Sequence, residues 1–134
     1  MASVFTRIMA GELPGRFVFS DDRCAAFLTI APITPGHTLV VPREEVDAWT
    51  DLDPDLAAHL FTVAQRVARG ILVAFRPARV GLMIAGLEVP HTHLHVLGIQ
   101  REGDLDFRRA DPTADPAALD DAAERLRAAL PAPA

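Results

Sequence analysis

The segment from Asp53 to Arg76 constrains the fold most. Leu56, Leu60, Val63, Val67, Ile71 and Ala74 recur at three- and four-residue steps, drawing one apolar stripe on a helix of about Pro54 to Phe75. Asp53 suits the N-cap, and Pro54 suits the first helical position, where its missing N–H costs nothing. Gln65, Arg66 and Arg69 lie off the stripe and are left to water. Such a helix needs an apolar surface to cover, and the flanking segments supply short pieces of one. "RFVFS", "CAAFLTI", "HTLVVP" and "RVGLMIA" read as strands, the first two joined at the polar turn Asp21-Asp22-Arg23. "APITPG" is loop, because two prolines and a glycine forbid a regular element. Phe5 to Ala10 makes a short helix broken at "GELPG", and a last helix runs from Pro116 to Leu130, capped by Asp115. Strands outnumber helices and several are joined by short links. The expected fold class is α+β, an antiparallel sheet with helices packed on one face.

The chain of 134 residues is expected to form one domain over 1–134, and half of its residues are hydrophobic, which argues against disorder. A net charge of −5 argues against a binder of nucleic-acid backbone, which needs a basic face. Cys24 is the only cysteine, so neither an intrachain disulfide nor a thiolate zinc cluster can form within one chain. The N-terminal stretch lacks the apolar core of a signal peptide, and the longest unbroken apolar run, Val80 to Leu87, is far below the ~20 residues of a membrane helix. The expectation is a soluble cytoplasmic protein with neither a nucleic-acid nor a membrane partner.

Three of the five histidines stand in the five residues 91–95, at alternate positions of "HTHLHVL". On a strand, His91, His93 and His95 would share one face, spaced by roughly 6.6 Å, with Thr92, Leu94 and Val96 on the other. Leu94 and Val96 assign that other face to the helices. Three readings compete at this point. The row can be a solvated strand face. It can be a metal site, with two of the histidines and His37 as ligands and Glu88 as an outer partner. It can also serve phosphoryl or nucleotidyl transfer, since a neutral imidazole is both a nucleophile and a source of hydrogen bonds near pH 7. His59, mid-helix, reads as a surface or partly buried histidine, Trp49 as packing or a dimer contact, and "REGDLDF" as a solvated loop or a substrate-facing flap.

"HTHLHVL" resembles the His-x-His-x-His signature of the histidine triad (HIT) nucleotide hydrolases and transferases, with Thr92 in a slot more often held by a larger apolar residue. The resemblance extends over about residues 3–100, including the "GE-x-P" turn and "P-x-T-P-G-H-T-L-V-x-P", and the Hint-like branch is the most similar; residues 101–134 add a loop and a helix. It implies a five-stranded antiparallel sheet with two main helices, usually paired as a homodimer with a continuous sheet. It implies that His93 attacks the α-phosphate to form a nucleotidyl-histidine, that His95 binds the phosphate and assists the leaving group, that the His91 carbonyl holds the other ring nitrogen of His93, and that His37 completes the cluster. Gly86 would lie where backbone approaches phosphate, and Phe5, Ile8, Phe27 and Ile30 around the base. The substrates implied are purine mononucleotide conjugates, with nucleoside phosphoramidates first, AMP as product and no cofactor. The alternatives are a dinucleoside polyphosphate hydrolase and a non-catalytic nucleotide-binding regulatory protein.

The chain departs further from that pattern at the zinc positions and on the substrate side. Many bacterial relatives bind a structural zinc through Cys-x-x-Cys near the start. Here those positions are Ser3 and Thr6, and Glu45 stands where a histidine often follows the strand. Hydroxyls are poor zinc ligands beside thiolates, so no structural zinc is expected. Thr29 replaces an aspartate that grips the ribose hydroxyls, and Leu87 and Glu88 stand where Gln and Ser or Thr are usual. The nucleophile is kept while the substrate side drifts.

Overall fold

The computed structural model describes residues 2–131, so the last residues of the Ala/Pro-rich tail and of the expected domain lie outside the described part. The elements in chain order are α1 (Val4–Met9), β1 (Phe17–Ser20), β2 (Cys24–Leu28), β3 (Thr38–Pro42), α2 (Pro54–Phe75), β4 (Arg79–Met83), β5 (Leu94–Ile99) and α3 (Pro116–Ala129). Single 3-10 turns stand at Trp49–Asp51, Glu102–Asp104 and Phe107–Arg109. The five strands form one sheet in the order β1-β2-β3-β5-β4, and every neighbouring pair is antiparallel. This is the α+β class with the five-stranded sheet expected from the sequence.

The long helix forms where its pattern placed it. The Asp53 carboxylate accepts the Asp55 amide at 2.8 Å, and Arg76, in the left-handed region at φ 51°, ends the helix. By length and apolarity α2 could cross a bilayer, but its stripe is spent inside the protein. Leu56, Leu60, Val63, Val67 and Ile71 pack with Ala122, Ala123 and Leu126 of α3 against Val40, Leu94 and Val96 of the sheet. The opposite face carries a smaller cluster of Phe5, Ala25, Phe27, Leu39 and Val41, roofed by α1. Alternation along β2 and β3 therefore feeds two apolar layers, which is why both strands are buried along their whole length.

One expectation is corrected. The histidine row does not lie on one strand, because β5 begins at Leu94. His91 and His93 precede it in irregular backbone, and only His95 is a strand residue, opposite Leu39 of β3 and Met83 of β4. Thr92 supplies the reason: its hydroxyl and its amide both donate to the Val46 carbonyl at 2.8 Å. The segment is thus fastened to the loop after β3 and not to a ladder.

Candidate active site

The rings nevertheless gather on the α1 side of the sheet. The centroids of His93 and His95 are 4.9 Å apart, those of His37 and His95 5.2 Å, and Phe5 stands edge-on to His93 at 4.7 Å. His37 and His91 are buried completely or nearly so, His93 is 7% exposed, and His95 is more open.

Partner atoms fix the tautomers. The Nδ1 of His93 is 2.7 Å from the carbonyl oxygen of His91, which can only accept, so Nδ1 carries the proton and Nε2 presents a lone pair. The Nε2 of His91 donates to the Pro42 carbonyl at 2.7 Å, which leaves its Nδ1 to accept from the Ser3 hydroxyl at 2.6 Å. The Ile33 amide donates to His37 Nδ1 at 3.0 Å. The proton of neutral His37 is then on Nε2 and is given to His95 Nδ1 at 3.0 Å. That bond in turn places the proton of His95 on Nε2. Among the described residues no protein group takes Nε2 of His93 or of His95. One free lone pair and one free N–H thus stand side by side.

Burial favours the neutral form of His37, His93 and His95. Desolvation lowers His37 from the usual 6.5 to about 4, and desolvation, with His37 and His93 close by, lowers His95 to about 3. Desolvation also lowers His93, against the opposing effects of its bond to His91 and the charge of Glu88. The result suits a nucleophile that needs its lone pair at neutral pH.

The structure places the remaining candidates unevenly. Phe5 and Phe27 lie in the apolar cluster beside the histidines, with Ile8 packed on its margin. Ile30 is 75% exposed on the loop after β2. The hydroxyl of Thr29 already accepts the Ala31 amide at 3.2 Å, a local turn bond. Glu88 is exposed. Gly86 has φ +82°, and a Cβ there would meet only the Asp47 carbonyl oxygen at 3.8 Å, so backbone conformation rather than crowding demands glycine. A cavity of about 400 Å³ lies between the 29–37 loop and the start of α3, bordered by Thr29, Ile33, His37 and Asp115.

Sequence reasoning missed other members. The ring of Phe107, 45% exposed, stands 4.8 Å from that of His95, so the stretch read as loop or flap touches the site. It is held there because buried Asp104 accepts the Gln100 amide at 2.8 Å. Ser3, Thr6 and Glu45 converge on His91: one carboxylate oxygen of Glu45 takes the Ser3 amide and the Thr6 hydroxyl, each at 2.6 Å. The signal was present as hydroxyls three residues apart at a helix start, Ser3 capping the Thr6 amide. Asp21, Cys24 and His59 bring their ligand atoms within 4.8 Å of one another, with His59 donating to the Asp21 carboxylate at 2.7 Å. Cys24 belongs to the helix-side core, and burial with Asp21 beside it pushes its thiol up to about 12.

Comparison with known proteins agrees with this fold. The family model described as "HIT domain" matches residues 10–102. The protein named "Protein hit" from Bacillus subtilis is 32% identical over 106 residues, covering 75% of this chain and 73% of its own. A zinc-bound histidine triad family protein from Mycobacterium smegmatis superposes with a TM-score of 0.82 at 30% identity, over 96% of this chain and 93% of its own. A hypothetical histidine triad nucleotide-binding protein from Sulfolobus tokodaii gives 0.80 at 27% identity, over 93% and 89%. With the four histidines assembled and the domain matched across most of its length, the chain belongs to the HIT family.

Proposed function

We propose that this protein binds a nucleotide conjugate and cleaves it at phosphorus, with a nucleoside phosphoramidate as the favoured substrate and a nucleoside monophosphate as product. The observation that carries the proposal is the state of His93: Nδ1–H is tied to the His91 carbonyl, and Nε2 is unengaged beside the Nε2–H of His95. The name of the Sulfolobus neighbour, a nucleotide-binding protein, supports the ligand class.

In this reading the lone pair of His93 Nε2 forms a bond to the α-phosphorus as the bond from phosphorus to the leaving amine breaks. The ring gains charge as it attacks, and the His91 carbonyl at Nδ1–H stabilises it. His95 donates Nε2–H to a phosphate oxygen. The phosphoramidate nitrogen enters carrying its own extra proton and so departs as the neutral amine, while His95 keeps its Nε2–H on the phosphate oxygen throughout. Water then attacks the phosphorus of the His93–nucleotide and loses one proton to solvent as the bond from phosphorus to Nε2 breaks, which returns the lone pair to Nε2. The base would lie at the margin of the apolar cluster of Phe5 and Phe27, where Ile8 is only partly buried. In this reading the imidazoles of His93 and His95 and the main-chain carbonyl of His91 carry these steps.

The experiment is incubation with adenosine 5′-phosphoramidate. Wild type should release AMP, and His93→Ala should release none while still binding AMP. A quenched reaction should show a nucleotide adduct on His93 by mass spectrometry. Undiminished turnover by His93→Ala would falsify the covalent step. One observation favours a binding-only alternative: Thr29, where the family pattern has a carboxylate for the ribose hydroxyls, offers a single hydroxyl that also accepts the Ala31 amide. Binding of AMP without turnover of any conjugate would select that alternative.

We also propose a homodimer. β4 is a sheet edge, and a groove of about 210 Å³ between it and α2 is bordered by Phe61, Ala64, Ala68, Val80 and Leu82. Phe61 is 60% exposed and Leu82 39%.

A further inference from the structure

We infer that Ser3 and Glu45 are positioning residues for the nucleophile and that their clasp on His91 does the work of a metal. The inference rests on the role proposed for His93. His91 is wholly buried, so each of its polar atoms must be matched, and all four are. The amide donates to Val89, Nε2–H donates to Pro42, Nδ1 accepts from Ser3, and the carbonyl accepts from His93. The Ser3 hydroxyl is equally committed, accepting the Thr6 amide at 3.1 Å while giving its proton to His91. Glu45 holds this hydroxyl in place from outside by taking the Ser3 amide and the Thr6 hydroxyl on one oxygen. Those two bonds keep its carboxyl below its usual range. A continuous chain therefore leads from an exposed carboxylate to the atom that orients the nucleophile: Glu45, Ser3, the His91 ring, the His91 carbonyl, His93 Nδ1.

The same geometry is unsuited to zinc. Two atoms bound to one tetrahedral zinc at ~2.0–2.1 Å stand about 3.3 Å apart. Ser3 Oγ and His91 Nδ1 are 2.6 Å apart, with a proton between them. Glu45 accepts a backbone amide, a group that cannot ligate while protonated. The donor set consists of two hydroxyls, a carboxylate and an imidazole that already satisfy one another. A zinc-bound relative from M. smegmatis exists, but this quartet does not fit the ion.

The test combines turnover with the state of the rings. Ser3→Ala leaves the Nδ1 of His91 without a donor in a buried site, and kcat should fall about tenfold with KM changed less than about twofold. Ser3→Thr keeps a hydroxyl and should restore kcat. Glu45→Gln, altered at an exposed position, should fold normally and lower kcat about threefold, since only the charge assistance is lost. Nitrogen-15 spectra of the histidine rings should show wild-type His91 with a proton on Nε2 toward Pro42 and His93 with its proton on Nδ1. In Ser3→Ala, the single tautomer of His93 should give way to a mixture. Purified protein should contain no stoichiometric zinc, and chelator should leave kcat unchanged.

The clasp is refuted if Ser3→Ala keeps wild-type kcat and unaltered ring spectra, or if one zinc per chain proves bound to His91. Should wild type turn over no phosphoramidate, the proposed reaction fails, yet the ring spectra of Ser3→Ala and Glu45→Gln still decide the clasp. If Ser3→Ala does not fold, the clasp stands or falls on Glu45→Gln: a lowered kcat with altered ring spectra supports it, and wild-type values of both refute it.

Discussion

At the residue scale, the site is a set of imidazoles each given one job by one hydrogen bond. A carbonyl at Nδ1 makes His93 a base at Nε2, while a second ring at Nδ1 makes His95 a donor at Nε2. The depressed pKa values turn this into a pH prediction. Neutral His93 persists below the ordinary 6.5, so the acid limb of kcat/KM should lie below that value. The same shifts bear on stability. His37 and His95 bind protons more readily unfolded than folded, so their contribution is full above about 6.5 and is lost as pH falls toward about 4 for His37 and about 3 for His95. His95→Asn removes one such group. Urea unfolding of both proteins at pH 8, 6, 5 and 4 should show wild type losing more stability than the variant on acidification. A constant difference between them would contradict the buried, neutral state of His95.

At the scale of elements, what the sequence disclosed followed its periodicities. Leu56 to Ala74 carry a 3.6-residue repeat over about five turns, and α2 appears at the limits its cap and proline set. The strand residues 24–28 and 38–42 carry no such contrast, being buried on both faces, and are legible only by length and by flanking turns. The alternate histidines look like strand because period two is a strand signature. What overrides it is the Thr92 bond to Val46, a contact across 46 positions that no local pattern encodes. The same holds for Ser3 with His91, 88 positions apart, and for Phe107 on His95. The loop that carries His37 is held in a comparable way. Gly36 has φ +85°, and a Cβ there would come within 2.4 Å of the Phe75 ring at the end of α2. Gly36→Ala must displace that ring, at about 1–3 kcal/mol, and strain the backbone by roughly 1–2 kcal/mol more. A drop in the urea midpoint, together with reduced turnover through His37, is the expected result. An unchanged midpoint would show that the loop adapts without cost.

At the scale of the whole molecule, the two sheet faces divide their duties without being fully separate. The helix side holds the larger core, and the α1 side holds both a small apolar cluster and the histidines, so the histidine-bearing face is itself packed. That leaves the sheet edge unaccounted for. β4 has an unpaired rim, and it adjoins a helix face on which Phe61 and Leu72 are exposed to water. Exposed strand edges are usually blunted by charge or covered, and Arg79 guards only the start of this one. A second copy brought edge to edge would pair the β4 rims and cover Phe61 and Leu82 at once, and a stable interface needs roughly 800 Å² from each partner. Sedimentation should therefore give the mass of two chains at micromolar concentration. Phe61→Glu, a change at a site outside the core, should give a monomer that still melts cooperatively. Since the hydrogen bonds that fix the ring tautomers all lie within one chain, that monomer should retain the tautomers of wild type. A wild-type monomer at those concentrations would leave the groove between α2 and β4 as open surface and remove the pairing from the proposal.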